Sequence, residues 1–205
     1  FCAYLPLPHH VDKRAVIRPT NPAKDVHGFP PENFGRLVAG DARFKPCTPH
    51  CVQKLLAAYE IETAGADVVV VGRSDIVGKP LANLFIQKAP QGNATTTICH
   101  SRTDDLEAKT KTADIVIAAA GVPEFIDGAM LNEGATVIDV GINRVDADTE
   151  KGYELVGDVD YESAESVAGA ITPVPGGVGP MTRAMLLYNA VNAASEQHDI
   201  DIELP

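Results

Sequence analysis

The stretch VVGRSDIVGKP, residues 70 to 80, joins a β-branched run to an amphipathic segment through Gly72, Arg73 and Ser74. A strand that breaks at a glycine and continues as a helix leaves unpaired backbone N–H groups with the positive end of a helix dipole behind them. That combination holds anions, phosphate above all. The glycine spacing is not G-x-G-x-x-G, so the turn alone reads either as a dinucleotide cradle or as an ordinary strand-to-helix connection. CHSRT, residues 99 to 103, adds information. A coenzyme with a free ribose 2′-hydroxyl is usually gripped by an acid at the end of the second strand, and here no acid comes before Asp104. Arg73, Ser101 and Arg102 offer a fork and a hydroxyl suited to a 2′-phosphate instead. The balance favours NADP over NAD, although Arg102 also reads as a solvated loop arginine.

Two further segments could face a flat ring. AAAGVP (118 to 123) and DVGIN (139 to 143) place small residues where strands should end, and Ile142 is positioned to cover one face of a nicotinamide. Simple close packing explains the small residues equally well. PVPGGVGPMT (173 to 182) holds three glycines and three prolines in ten residues. Glycines let main chain approach a ligand and prolines limit a loop's freedom, so this segment is expected to wall a ligand site before a helix begins near Met181.

The elements that must carry these residues follow from the pattern. Residues 1 to 46 read as irregular, rich in Pro and His. Thr48 suits a helix cap and Pro49 a first helical position, with Val52, Leu55, Leu56 and Tyr59 as an apolar stripe. DVVVVG (67 to 72), TTTICH (95 to 100), DIVIAAAG (114 to 121), ATVIDVGIN (135 to 143) and AGAITPV (168 to 174) read as strands. KPLANLFIQKA (79 to 89), DLEAKTKTA (105 to 113) and GAMLNEG (128 to 134) read as helices. Alternation of this kind predicts an α/β fold, a doubly wound parallel sheet that binds ligands at the carboxyl ends of its strands.

The 205 residues carry a net charge of −11. That argues against nucleic acid, which needs a basic stripe. The acidity suits a self-repelling soluble surface or a salt-rich cytoplasm, with acids clustered in segments such as DADTEKGYE. No apolar run approaches the ~20 residues of a membrane span, so no membrane partner is expected. Cys47 and Cys51 flank His50, but no second pair of ligands exists at zinc spacing, so no metal is expected and the thiols read as free and buried.

The strings LPLP, KDVHGF, PCTP, VVGRSDIVGKP, CHSRT, VIDVGIN, VGDVD and ITPVPGGVGPMT, in that order, resemble the bifunctional methylenetetrahydrofolate dehydrogenase/methenyltetrahydrofolate cyclohydrolase family over nearly the whole chain. The resemblance implies a Rossmann-like NADP domain over residues 47–182 and the remnant of a folate-binding catalytic domain over 1–46. It also implies a C-terminal helix over 183–205 that packs back on that domain before an acidic tail. It implies a tetrahydrofolate derivative as substrate, bordered by Tyr4, Leu5, His27, Pro175 and Gly176, and a homodimer in the cytoplasm. Gly72, Arg73, Ser74, Ser101, Arg102 and Ile142 would then serve NADP.

The likeness breaks at three points. The family lysine belongs to an upstream Y-x-x-x-K motif, which occurs nowhere in this chain; the chain, which starts at Phe1, therefore reads as an N-terminally truncated piece with no certain catalytic residue, expected to be inactive alone. AYLPLP puts Tyr4 where the family has glutamine. KDVHGF puts His27 where the family has a folate-binding aspartate, and a neutral imidazole accepts only one hydrogen bond. These changes bear on the hydrolysis step and leave a dehydrogenase-only or inactive nucleotide-binding relative as the alternative.

Overall fold

The computed structural model describes residues 7–202; Tyr4 and Leu5 lie outside the described residues. The β-branched runs form a parallel five-stranded sheet in the order β2-β1-β3-β4-β7. Its members are β1 (Asp67–Val71), β2 (Thr95–Cys99), β3 (Ile115–Ala118), β4 (Thr136–Asp139) and β7 (Ala170–Ile171). Both faces are covered, as a sheet with crossover helices requires. Val68 and Val70 of β1 point toward α3 (Cys47–Ala58), α4 (Gly78–Phe85) and α7 (Val178–His198), meeting Val52, Leu56, Phe85 and Met185. Val69 and Val71 point to the other layer, against Ile126, Leu131 and Ala164. Each fully buried valine of this kind stabilises the fold by about 1.5–3 kcal/mol.

Several elements depart from the sequence expectation. The segment before Pro46 is not irregular: it carries α1 (Lys13–Ile17), capped by the Asp12 carboxylate, and α2 (Pro31–Ala39), which ends at Gly40 with φ 81°. Pro31 at the first turn and Gly40 past the last are a start and a stop signal. Helix α3 begins at Cys47, two residues earlier than Thr48 and Pro49 suggest, with Pro46 at its cap and no side-chain cap bond. Pro49 then sits among the first-turn N–H positions that lack helical partners anyway. Tyr59 falls beyond the helix and is 75% exposed, so the buried stripe ends at Leu56. Helix α4 stops at Phe85 because the chain turns back there, with the Asn93 and Ala94 amides donating to the carbonyls of Gln87 and Phe85. The helix expected over 105–113 shortens to α5 (Leu106–Thr110), and GAMLNEG holds only a 3-10 turn, Gly128–Met130.

The acidic segment after β4 is not loop alone. It forms an antiparallel hairpin of β5 (Asn143–Asp146) and β6 (Tyr153–Val156), followed by α6 (Tyr161–Glu165). Burial alternates along β5 but not along the whole of β6, and the acids at the tip masked the pattern. Helix α7 starts at Val178, inside the Gly/Pro run, so the non-helical part of that run is residues 173–177. Asn189 of α7 ties the N-terminal segment down: its buried Nδ2 donates to the carbonyls of Val26 at 2.8 Å and Lys45 at 2.9 Å.

Candidate active site

Register fixes which strand ends lie side by side. Val71 pairs with Cys99 on one side and Ala118 on the other, Ala118 pairs with Asp139, and Val137 pairs with Ile171. The segments that follow these strands therefore line one carboxyl edge in the order 100–103, 72–76, 119–122, 140–142 and 172–177. From β1 the chain runs first to β2 on one flank and then to β3 on the other, so the switch point of the sheet, where such folds bind ligands, lies between Gly72 and Ala119.

A cleft of about 520 Å³ opens there, lined by Gly72, Arg73, Ser74, His100, Ser101 and Ala119 among others. Gly72 is required by packing: with φ 142°, a Cβ on it would lie 2.1 Å from the Ala119 carbonyl oxygen. Gly78 stacks next, where a Cβ would meet the Gly72 oxygen at 2.1 Å. The amides that open α4 are not free as expected. Ser74 Oγ accepts from the N–H groups of Val77 and Gly78 at 3.1 and 3.4 Å, and the Ser74 carbonyl accepts from Lys79 N–H. Ser74 thus acts as the cap of the turn, and the amides left to face an anion are those of the loop Arg73–Ile76. Lys79 folds back onto Asp75 at 2.6 Å, and that bond chiefly holds the Asp75 carboxyl below its usual range. Arg73 and Arg102 make no ion pair among the described residues. Arg102 does not line the cleft; its amide donates to His100 Nδ1.

A second cleft of about 470 Å³ continues along the same edge, between Asp139–Ile142 and residues 173–183, with Thr48 at its floor. Pro175 and Gly176 line it, the Val174–Pro175 bond is cis, and Gly176 has φ 110° with no atom within 4 Å of the place a Cβ would take. Ile142 is 66% exposed over this cleft. Thr48, released from capping, lies 3.3 Å from the Thr182 hydroxyl and joins α3 to α7. Behind them His50 is buried against the edge of Tyr188 and near Lys45 and Lys54. Burial first, then the two lysines, push its pKa down to about 4.

Between the clefts stands a pair of buried aspartates that the sequence did not reveal. Asp158 Oδ2 accepts from the amides of Ala120 and Gly121 at 2.6 and 2.8 Å, while its Oδ1 accepts from Asn143 Nδ2. Asp139 accepts from the amides of Gly141, Asp158 and Val159. Desolvation raises the Asp139 pKa, and the three N–H donors oppose that shift. The glycines of VGIN and VGDVD serve these carboxylates: a Cβ at Gly141 would sit 2.2 Å from Asp158 Oδ1, and one at Gly157 would sit 1.8 Å from Asp139 Oδ2. Close packing, rather than room for a ring, accounts for them. The repeated pairing of Asp with Gly in VIDVGIN and VGDVD was the only available signal.

His27 is not brought into either cleft. It stacks on Phe29 at 4.9 Å within a turn closed by the buried Asp25 carboxylate, which accepts from the amides of His27 and Phe29. Burial lowers its pKa against the pull of Asp25. Among the described residues no helix is long and apolar enough to cross a membrane, and no cluster of metal ligands occurs.

A doubly wound sheet with a glycine turn and a cleft at its switch point, and a second cleft along the same edge, defines the dinucleotide-binding class of α/β proteins. The sequence profile of the tetrahydrofolate dehydrogenase/cyclohydrolase NAD(P)-binding domain matches residues 46–198, and the chain belongs to that family. It is 73% identical over 201 residues to Bifunctional protein FolD 1 of Haloarcula marismortui, covering 98% of this chain and 68% of the relative. It is 74% identical over 200 residues to Bifunctional protein FolD of Natronomonas pharaonis, covering 98% and 67%. Among solved structures, the Trypanosoma brucei methylenetetrahydrofolate dehydrogenase-cyclohydrolase complexed with NADP cofactor and inhibitor superposes with TM-score 0.89 at 40% identity, over 95% of this chain and 66% of that one. The Campylobacter jejuni FolD enzyme gives TM-score 0.86 at 47% identity over 94% and 66%. The chain thus spans about two thirds of the length of the relatives it matches.

Proposed function

We propose that the complete protein oxidises 5,10-methylenetetrahydrofolate with NADP⁺ to the 5,10-methenyl cation and NADPH, and then adds water to the cation to give 10-formyltetrahydrofolate and a proton. The observation that carries this reading is the placement of two neighbouring clefts along one strand edge, which suits a dinucleotide and a second planar ligand side by side. NADP, when bound, supplies the hydride acceptor. In this reading the Arg73–Ile76 loop amides face its pyrophosphate, with Gly72 allowing the close approach. Arg73 and Ser101 take the 2′-phosphate, with Arg102 at the rim. Ile142 covers one nicotinamide face, and Pro175 and Gly176 hold the pterin ring against the other. Acceleration of the hydride step comes mainly from this face-to-face placement.

Water addition needs a group that manages protons at the bridge carbon, and the family lysine lies outside this chain. In this reading residues 1–46 are the remnant of the folate-binding domain, with Tyr4 and Leu5 toward the substrate, and the C-terminal helix packs back on it. A homodimer in the cytoplasm completes the reading, which sedimentation of the longer protein checks. The test is direct: the full-length protein is incubated with methylenetetrahydrofolate and NADP⁺ from low to molar salt, and NADPH is followed by absorbance. Absence of NADPH at every salt concentration overturns the proposal. His27 and Tyr4 favour a second reading, a dehydrogenase that has lost the cyclohydrolase step. In that case NADPH forms, methenyltetrahydrofolate accumulates, and His27→Asp in the full-length protein accelerates its disappearance.

A further inference from the structure

One ring in the first cleft has no part in that scheme. His100 is the first residue after β2, the place where an acid reads the ribose 2′-hydroxyl in NAD-binding folds. Its main chain and ring are both built into a short turn. The His100 amide donates to Thr103 Oγ1 at 2.9 Å, and the Thr103 amide donates back to the His100 carbonyl at 2.8 Å. The Arg102 amide donates to His100 Nδ1 at 3.2 Å. A backbone amide always carries its hydrogen, so Nδ1 must present a lone pair, and the neutral ring must hold its proton on Nε2. Thr103 Oγ1 lies 3.5 Å from the same Nδ1, where in this tautomer its hydroxyl is the donor; Nε2 makes no hydrogen bond among the described residues, and the ring lines the cleft beside Arg73 and Ser101.

We infer that His100 is a specificity-determining residue: its Nε2–H donates to the 2′-phosphate of bound NADP, with the ring oriented by the Arg102 amide. This rests on the assignment of the first cleft to NADP. An acid in the same place would accept from a 2′-hydroxyl and repel a phosphate. A fixed donor does the reverse, because a hydrogen bond to a charged acceptor is roughly twice as strong as one between neutral groups.

Asparagine and glutamine separate the two ring nitrogens. His100→Asn keeps an acceptor for the Arg102 amide and lacks the outward donor. His100→Gln places an amide N–H near the Nε2 position. NADP⁺ and NAD⁺ are titrated by calorimetry into the wild-type chain and both variants, with melting temperature as the control for folding. The wild type is expected to prefer NADP⁺. His100→Asn should lose about tenfold to hundredfold in NADP⁺ affinity, the range for one hydrogen bond to a charged group, with NAD⁺ affinity unchanged. His100→Gln should regain most of the preference. An equal loss for both coenzymes in His100→Asn, or no loss for NADP⁺, overturns the role of His100 while leaving the cleft assignment in place. Wild-type chain that binds neither coenzyme overturns the cleft assignment and this inference with it. Should His100→Asn fail to fold, a preference in His100→Gln no better than that of His100→Ala is the overturning result.

Discussion

Gly72 and Gly176 share a residue type, a positive φ and one edge of the sheet, yet they are glycine for opposite reasons. A Cβ at Gly72 would strike the Ala119 carbonyl at 2.1 Å, whereas none of the protein lies within 4 Å of one at Gly176. The first glycine is required by the approach of β1 to the loop after β3. The second is required by φ 110° alone and faces the open second cleft. The first turn is thus fixed from within the protein, and the second is shaped around space.

The largest expected effect follows from this contrast. Gly72→Ala combines backbone strain with a main-chain collision, each costing about 1–3 kcal/mol, so it should destabilise by roughly 4 kcal/mol. Gly176→Ala carries only the conformational part, about 1–2 kcal/mol. Urea midpoints of the two variants measure the difference, and equal losses would break the distinction between the turns.

Next comes the strut that divides them. Asp158→Ala leaves the amides of Ala120 and Gly121 without their acceptor and Asn143 Nδ2 with only the Gly157 carbonyl. Unpaired buried donors cost about 1–3 kcal/mol each and are partly rescued by water where they are half-exposed, so a loss of about 3 kcal/mol is expected. Ala120 lines the first cleft and Gly141, packed on Asp158, lines the second. NADP⁺ affinity should therefore fall together with the melting temperature. A variant that melts early but titrates like the wild type would show that the strut supports the fold without shaping either cleft.

The unequal legibility of the two sides has the same origin. The strands were readable because a run such as Val68–Val71 is buried on both faces and needs no partner to be recognised. Some strand ends were readable because a β-branched run such as Val68–Val71 breaks at Gly72, but the order of the segments along the edge came only from strand pairing. What failed to appear in the sequence was every feature set by a distant partner. Ser74 is the local exception: its residue type already suited a cap as well as a phosphate ligand, and its hydroxyl closes onto Val77 and Gly78, three and four residues on. Asp139 and Asp158 are 19 residues apart and become a unit only when β4 and the segment after β6 meet. Thr48 looked like a cap because threonine followed by Pro49 suits a helix start, yet the helix begins at Cys47 and the Thr48 hydroxyl meets Thr182 of α7 instead. Hairpin β5–β6 hid behind the charge of its own tip.

Acid separates the two sides by another route. His50, on α3, packs against Tyr188 of α7, and these two helices carry Thr48, Val178 and Thr182 of the second cleft. Its pKa is held down to about 4 by burial and by Lys45 and Lys54. The unfolded chain, with an imidazole near the ordinary 6.5, takes up this proton first as pH falls. Between those two values the unfolded state binds more protons, so the contribution of His50 is present at neutral pH and is lost as pH drops from about 6.5 toward 4. The slope is at most about 1.4 kcal/mol per pH unit. Urea unfolding at pH 7, 6 and 5 should show a decline that His50→Phe, which keeps a ring against Tyr188, flattens. A wild-type slope that survives in His50→Phe would place the acid sensitivity elsewhere.

The smallest change in stability tests the second turn itself. Gly179 is the second residue of α7, exposed, without positive φ and with nothing within 4 Å of its Cβ position. Alanine is the better helix former and restricts the unfolded chain, so Gly179→Ala should leave the fold unchanged or stabilise it by about 0.5 kcal/mol. Nothing inside the protein asks for glycine there. If the second cleft is shaped around a planar ligand, the added methyl group intrudes on that ligand instead, at a cost of about tenfold in affinity for one carbon in a fitted pocket. Stability that holds or rises while binding to the full-length protein weakens is the expected result. A variant that binds NADP⁺ and methylenetetrahydrofolate as tightly as the wild type would mean that the open space beside Gly179 is solvent, and that the ligand wall ends at Gly177.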